Sequence, residues 1–385
     1  MNEYKRLGDY IREVDVRNRD LSVTTLLGVS ISKEFIPSIA NTIGTDMSTY
    51  KIVRKGQFAY GPVTSRNGDK VSIALLTNED NVIISQAYTV FEVKDTNDLL
   101  PKYLMMWFRR PEFDRYARFH SHGSAREIFD WSEMCDVMLP IPSIERQREI
   151  VAEYETLSKR IRLNEQMISK LEETAQTLYR KMFVDGIDKE NLPEGWRMGT
   201  LGEICIVNPK LTLKVGLSAL FYDMDSLPLQ GFFMGKAQIR DFNSGMKFQN
   251  GDVLFARITP CMENGKAAIV ADLKEDEVAF GSTEFIVLRG SQYKLTSILA
   301  TLIRNEEFRA FARTQMKGTD GRQRVDATAL LGYEIVIPEG NMLRKIENAL
   351  SRLYNQMHIV TKENSKLTEL QSLLLAKIGQ LKSTE

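Results

Sequence analysis

Three histidines and three cysteines are all the soft-metal ligands and strong nucleophiles that this 385-residue chain offers. Cys135, Cys205 and Cys261 lack the paired spacing that a zinc site needs, so they read as buried free thiols. His120 and His122 stand beside Gly123, where a solvent-exposed turn is the ordinary reading and contact with a polar ligand the sharper one. The run Glu275-Asp276-Glu277 has enough charge to hold a divalent ion, yet an acidic loop between strands is far commoner. There is no Gly-x-x-x-x-Gly-Lys-Ser/Thr loop to cradle a phosphate. Nor is there an Asn/Asp-Pro-Pro-aromatic segment of an amino-methyltransferase, or a His-Glu-x-x-His pair. No catalytic constellation is recognisable, which leaves the basic side chains as those with chemistry to perform.

Those basic side chains lie in glycine-bearing, loop-like segments that occur twice. Arg54, Lys55, Arg66 and Lys70 flank the turns Gly61-Pro62 and Asn67-Gly68, and Arg257 and Lys266 fall in the corresponding later region. Arg126 follows Gly123, as Arg322 follows Gly318, joined there by Lys317 and Arg324. Arginine offers a bidentate donor pair suited to a guanine edge, whereas lysine supplies a point charge that positions a phosphate backbone. For any one of them a solvated surface charge is an equally good reading, so the inference rests on the set. The whole chain has 51 basic and 51 acidic residues, hence no net charge. A protein that holds nucleic acid tightly by itself is usually basic. Either the cations are locally concentrated, or a partner supplies the clamp.

Two long amphipathic stretches must carry these segments. Steps of four and three connect Ile150, Tyr154, Leu157, Ile161, Asn164, Ile168, Leu171, Ala175, Leu178 and Met182, which is a coiled-coil seam. A second seam follows 196 residues on: Ile346, Leu350, Leu353, Met357, Val360, Asn364, Leu367, Gln371, Leu374 and Ile378. A parallel pair would set Asn164 against Val360 and Asn364 against Ile168, leaving two buried amides without partners. An antiparallel pair sets Asn164 opposite Asn364, a polar layer that fixes register. Its weak point is Gln371 facing Leu157. Two amphipathic helices, each packed on its own domain, are the plainer alternative.

The globular segments repeat too. Leu7-Gly8 recurs as Leu201-Gly202, Gly56 as Gly251, Phe91-Glu92-Val93 as Phe285-Ile286-Val287, Arg109 and Phe113 as Arg304 and Phe308, and Ile141-Pro142 as Ile337-Pro338. Pro101 and Pro111 are expected to open helices. Gly186 is a plausible helix stop. Residues 1–142 then form one domain, 143–186 a long helix, 187–195 a linker, 196–338 a second domain and 339–385 a second long helix. No leader or membrane-spanning apolar run is recognisable, so the cytoplasm is the default location.

The order of globular domain, Leu139-Pro140-Ile141-Pro142 with Glu145 and Gln147 behind it, and a long helix, given twice, resembles the DNA-specificity subunit of type I restriction-modification systems. Asn250-Gly251-Asp252-Val253-Leu254-Phe255-Ala256-Arg257, with Gly265-Lys266-Ala267-Ala268-Ile269-Val270, is similar to a segment of such target recognition domains. The second junction, Ile337-Pro338-Glu339-Gly340-Asn341, departs from the pattern. The resemblance implies an α+β protein: two duplicated α/β target recognition domains separated by two long helices that form an intramolecular antiparallel coiled coil, pseudo-twofold symmetric. It implies a non-catalytic chain that reads a bipartite, asymmetric double-stranded DNA target, one half-site per domain. Two methylation subunits, which would bind S-adenosylmethionine, would dock on the coiled coil, and restriction subunits would join the full complex. Helices of this length hold the domains roughly 50 Å apart at most, which sets half-site centres about 10 to 15 base pairs apart. The rival readings are a stand-alone bipartite DNA-binding regulator, an enzyme whose site forms between the halves, and a purely structural coiled-coil scaffold.

Overall fold

A computed structural model describes residues 4–38, 44–65, 67–68, 70–123, 126–319 and 323–381. The chain divides into two compact units: Met1–Arg160 with Leu367–Glu385, and Ile161–Lys366. Two helices, Ile144–Phe183 and Gly340–Ile378, contribute to both. Among the described residues, no helix is long and apolar enough to cross a membrane.

In the first unit, strands Ile11–Val14, Thr89–Val93, Phe58–Tyr60 and Ile73–Leu75 form, in that spatial order, an antiparallel sheet. Helices Pro101–Phe108 and Pro111–Phe119 cover it, each with proline in its first turn, where the missing N–H has no partner to lose. Between sheet and helices lie Phe58, Phe91, Phe108 and Phe113, all buried, with Phe58 stacked on Phe91 at 4.8 Å between ring centroids. Ile150 and Val151 of the first long helix and Ile378 of the second join this core.

The second unit repeats that sheet with strands Cys205–Val207, Phe285–Gly290, Val253–Ala256 and Ala267–Ile269, covered by helices Thr296–Arg304 and Glu306–Thr314. Beside it lies a mixed sheet of Gln238–Asp241, Ser218–Tyr222, Ala279–Gly281 and Met246–Phe248, whose counterpart in the first unit is the pairs Leu27–Val29 with Phe35–Pro37 and Lys51–Arg54 with Asn81–Ile84, joined by a parallel bridge from Leu26 to Ile83. Gly56 and Gly251 fall at the same turn in the two units, with φ of +87° and +88°, a backbone region in which a Cβ is strained. The strand register corrects one sequence match. Phe58 pairs with Phe91 and Val253 with Leu288, so Phe91-Glu92-Val93 corresponds to Leu288-Arg289-Gly290 and not to Phe285-Ile286-Val287. Both runs lie on the one strand Phe285–Gly290, and the pairing distinguishes them. The equivalent locks then run in opposite directions: Gln57 donates to Glu92 at 2.8 Å, while Arg289, at the position of Glu92, donates to Asp252 at 2.6 and 2.7 Å.

The long helices run antiparallel. Asn164 Nδ2 donates to Asn364 Oδ1 at 2.8 Å in the second unit. In the first unit Gln371 turns from Leu157 and donates to Ser158 Oγ at 2.7 Å, which satisfies the amide that the seam pattern left in difficulty. Ile150, Asn164, Ile168, Ile346, Leu350, Met357, Val360 and Ile378 are buried. Tyr154, Leu157, Ile161, Leu171, Leu178, Leu353, Asn364, Leu367 and Leu374 are half-buried. Of the three thiols only Cys205 is buried, where desolvation pushes it up to about 12; Cys135 and Cys261 are half-buried, against the sequence expectation.

Candidate nucleic-acid interface

Lys70 and Arg126 in the first unit, and Arg257, Lys266, Lys317 and Arg324 in the second, lie on two segments tied to each other. One leaves the strand beginning at Phe58 or Val253, and the other leaves the second short helix, at Phe119 or Thr314. In the first unit Val63 bridges Ile128, Thr64 N–H donates to the Glu127 carbonyl at 3.0 Å, and the Thr64 hydroxyl donates to Ser121 Oγ at 3.0 Å. In the second, Ile258 bridges Arg324, Thr259 N–H donates to the Gln323 carbonyl at 3.1 Å, and Val325 N–H donates to the Arg257 carbonyl at 2.9 Å. Gly123 and Gly318 turn the second segment in the two units, at φ of +135° and +118°. The same scaffold thus presents different side chains.

Lys70 and Arg126 are exposed on the bridged segments of the first unit, and neither forms an ion pair among the described residues. Arg66 and Arg322 lie outside the described residues. Arg54 and Lys55 are exposed but sit at the turn before Gly56, at the other end of strand Phe58–Tyr60, so the structure does not bring them to this site. In the second unit three of the cations are already engaged. Arg324 pairs with Glu284 at 2.7 Å, and Lys317 with Asp326 at 2.7 Å. The Lys317 ammonium holds the Asp326 carboxyl below its ordinary range. Lys266 donates to the Met224 carbonyl at 3.1 Å and Asp225 at 3.0 Å, so it anchors the loop to a 3-10 turn. Arg257 is half-buried, and its backbone N–H donates to the Glu284 carbonyl at 2.9 Å.

The neighbouring acids and histidines are structural in their contacts. Arg118 pairs with Glu127 at 2.8 Å, and His120 and His122 approach Glu133 at 3.0 and 3.7 Å. Glu275, Asp276 and Glu277 lie in the loop between Ala267–Ile269 and Ala279–Gly281, where Glu277 accepts from Lys274 N–H at 2.8 Å. Among the described residues no group of three His, Cys, Asp or Glu side chains is placed to hold a metal ion.

Two residues that the seam pattern passed over set the helices on which these loops depend. Gln147, fully buried, accepts from Leu100 N–H at 2.8 Å and donates to the carbonyls of Asp98 and Pro142, both at 2.9 Å. It therefore holds the start of helix Pro101–Phe108 against the first long helix. Glu347 does the same one turn further along the second long helix, accepting from Ser297 N–H at 2.9 Å and Ile298 N–H at 3.0 Å. Helix N-termini leave such donors without intrahelical partners, and here a long helix supplies the acceptor. A Glu or Gln beside the apolar seam, near Ile150 or Ile346, is the signal available in sequence.

Residues 32–173 match the type I restriction modification DNA specificity domain. The EcoEI type I restriction enzyme specificity subunit of Escherichia coli is 31% identical over 169 residues, covering 42% of this chain and 28% of that protein. The EcoAI specificity subunit of Escherichia coli is 29% identical over 204 residues, covering 50% and 34%. The chain thus spans about a third of the length of these curated relatives. A type I restriction-modification S subunit from M. genitalium has a similar fold, with a TM-score of 0.58, 14% identity, and 98% and 96% of the two chains covered. By these matches residues 32–173 are similar to a type I restriction DNA specificity domain, and the chain as a whole shares its fold with a solved S subunit.

Proposed function

We propose that this chain is the non-catalytic DNA-recognition subunit of a type I restriction-modification complex. Its two units, corresponding to target recognition domains at 1–142 and 196–338, would each read one half of a bipartite, asymmetric double-stranded DNA target. The observation that carries this reading is the recurrence of one two-loop arrangement with different side chains: Lys70 and Arg126 in the first unit, Arg257, Lys317 and Arg324 in the second. A common scaffold with divergent loops suits two different half-sites, since base edges are read by the side chains presented.

Partner subunits account for the rest of the chemistry. Two methylation subunits, binding S-adenosylmethionine, would dock on the long helices, with restriction subunits added in the full complex. Support comes from the first unit, where Ala152, Leu157, Leu370, Leu373 and Leu374 line an open groove of about 780 Å³. Leu370 and Leu373 are 50% and 61% exposed there, beside Glu149, Glu153 and Lys377. An apolar surface with a charged rim is the usual form of a protein contact. Zero net charge fits a chain that relies on partners for much of its phosphate contact.

Purified chain, alone and mixed with its methylation subunit, should be footprinted on the same DNA at moderate salt. The complex is expected to protect two separated segments, with the chain alone binding weakly. Tight, site-specific binding by the chain alone would favour the stand-alone regulator.

A further inference from the structure

Phe119 is 81% exposed, as the last residue of helix Pro111–Phe119. Frayed helix ends often expose an apolar side chain, but this one is not frayed. Arg118 before it pairs with Glu127 at 2.8 Å. His120 after it stacks on Tyr116 at 4.2 Å between ring centroids and approaches Glu133 at 3.0 Å. Ser121 donates to the Ala117 carbonyl at 2.6 Å and accepts from Thr64. Every neighbour is fixed by a side-chain contact, and the aromatic ring between them is held out in solvent.

The place where it is held matters. Ser121 and Glu127 are the residues that tie this segment to the loop after strand Phe58–Tyr60, so Phe119 stands at the rim of the two bridged segments that carry Lys70 and Arg126. An exposed ring beside segments whose Lys70 and Arg126 form no ion pair among the described residues suits nucleic acid: the cations meet phosphates while the ring meets bases, by stacking, by insertion at a base step or against a thymine methyl. The second unit places Thr314 at the equivalent helix end.

We infer that Phe119 makes the apolar base contact of the first unit, and that the unit carrying Thr314 reads its half-site without one. This rests on the DNA-recognition reading above and names a specificity-determining residue within it.

The test uses the full chain co-expressed with its methylation subunit in a host free of that modification, followed by sequencing of methylated adenines. F119A, F119W and T314A are compared with the wild type. F119A is expected to lower methylation at least tenfold, or to relax base preference, in one half-site only, with F119W retaining the wild-type pattern and T314A leaving that half-site untouched. Because Phe119 is so exposed, the variants should melt with the wild type, which separates a lost contact from a lost fold. An F119A pattern identical to a two-part wild-type pattern would overturn this inference alone. A wild-type complex that methylates no two-part site would overturn the parent reading, and this inference with it.

Discussion

Replacing Glu347 by leucine should loosen helix Thr296–Arg304 without touching the sheet beneath it. Ser297 and Ile298, whose N–H groups the carboxylate accepts, are 3% and 2% exposed, so water does not replace the lost acceptor. Each orphaned buried donor costs roughly 1–3 kcal/mol. The leucine recovers about 1–2 kcal/mol of apolar burial, leaving a mid-range net loss of about 2.5 kcal/mol. E347Q keeps one acceptor oxygen and should lose about 1 kcal/mol. Hydrogen exchange of peptides covering the helix reports this locally: at about 1.4 kcal/mol per tenfold, E347L should exchange on the order of 100-fold faster. Burial pushes the Glu347 carboxyl above its ordinary value of 4.5, despite the two backbone donors. A raised folded value means a stabilising contribution fully present below 4.5 and lost as pH climbs through the folded value. The balance should therefore shift toward E347Q, which cannot ionise, as pH rises from 4.5 to neutrality. Unchanged exchange in E347L, or a shift in the opposite direction, would refute the assignment of Glu347 as the helix clamp.

Three further expectations follow from the same geometry. Q147L removes the three hydrogen bonds of a buried amide at the corresponding place in the first unit and should cost about 2–4 kcal/mol, read as faster exchange in helix Pro101–Phe108. L370E/L373E places charge in the apolar groove of the first unit and should abolish co-purification of the methylation subunit while leaving the circular dichroism spectrum unchanged; a fully retained complex would remove the groove as a docking surface. With a thiol reagent at pH 8, Cys135 and Cys261 should react in the native chain, whereas Cys205, buried and with its thiol pushed up to about 12, should react only on unfolding. Equal labelling rates for all three would contradict that burial.

Helix patterning was the most legible part of the sequence, because a seam of fixed period leaves few registers and Asn164 and Asn364 prefer each other to any apolar neighbour. Gln371 looked like a defect because the seam considers only residues facing across the pair; its partner, Ser158, lies one residue to the side. Repeated landmarks such as Gly56 and Gly251 carried over because each occupies a left-handed turn. Phe91 was matched wrongly because any apolar run suits a central strand, and the register is fixed by pairing with Phe58. Charge identified residues able to meet nucleic acid but not their surroundings. Lys70 and Arg126 stand free of ion pairs among the described residues, whereas Lys266 and Arg324 are held by Asp225 and Glu284. Arg54 and Lys55 are near in sequence to the loops but at the far end of a strand. Such distinctions depend on contacts between residues far apart in the chain, which a local pattern does not contain.

Two-part DNA recognition is tested most directly by expressing the chain with its methylation subunit and mapping every methylated adenine in the host genome. The account predicts methylation at a single motif of two dissimilar short sequences separated by a gap of fixed length. Methylation at one continuous or palindromic motif, or a stable complex that methylates nothing, would contradict it.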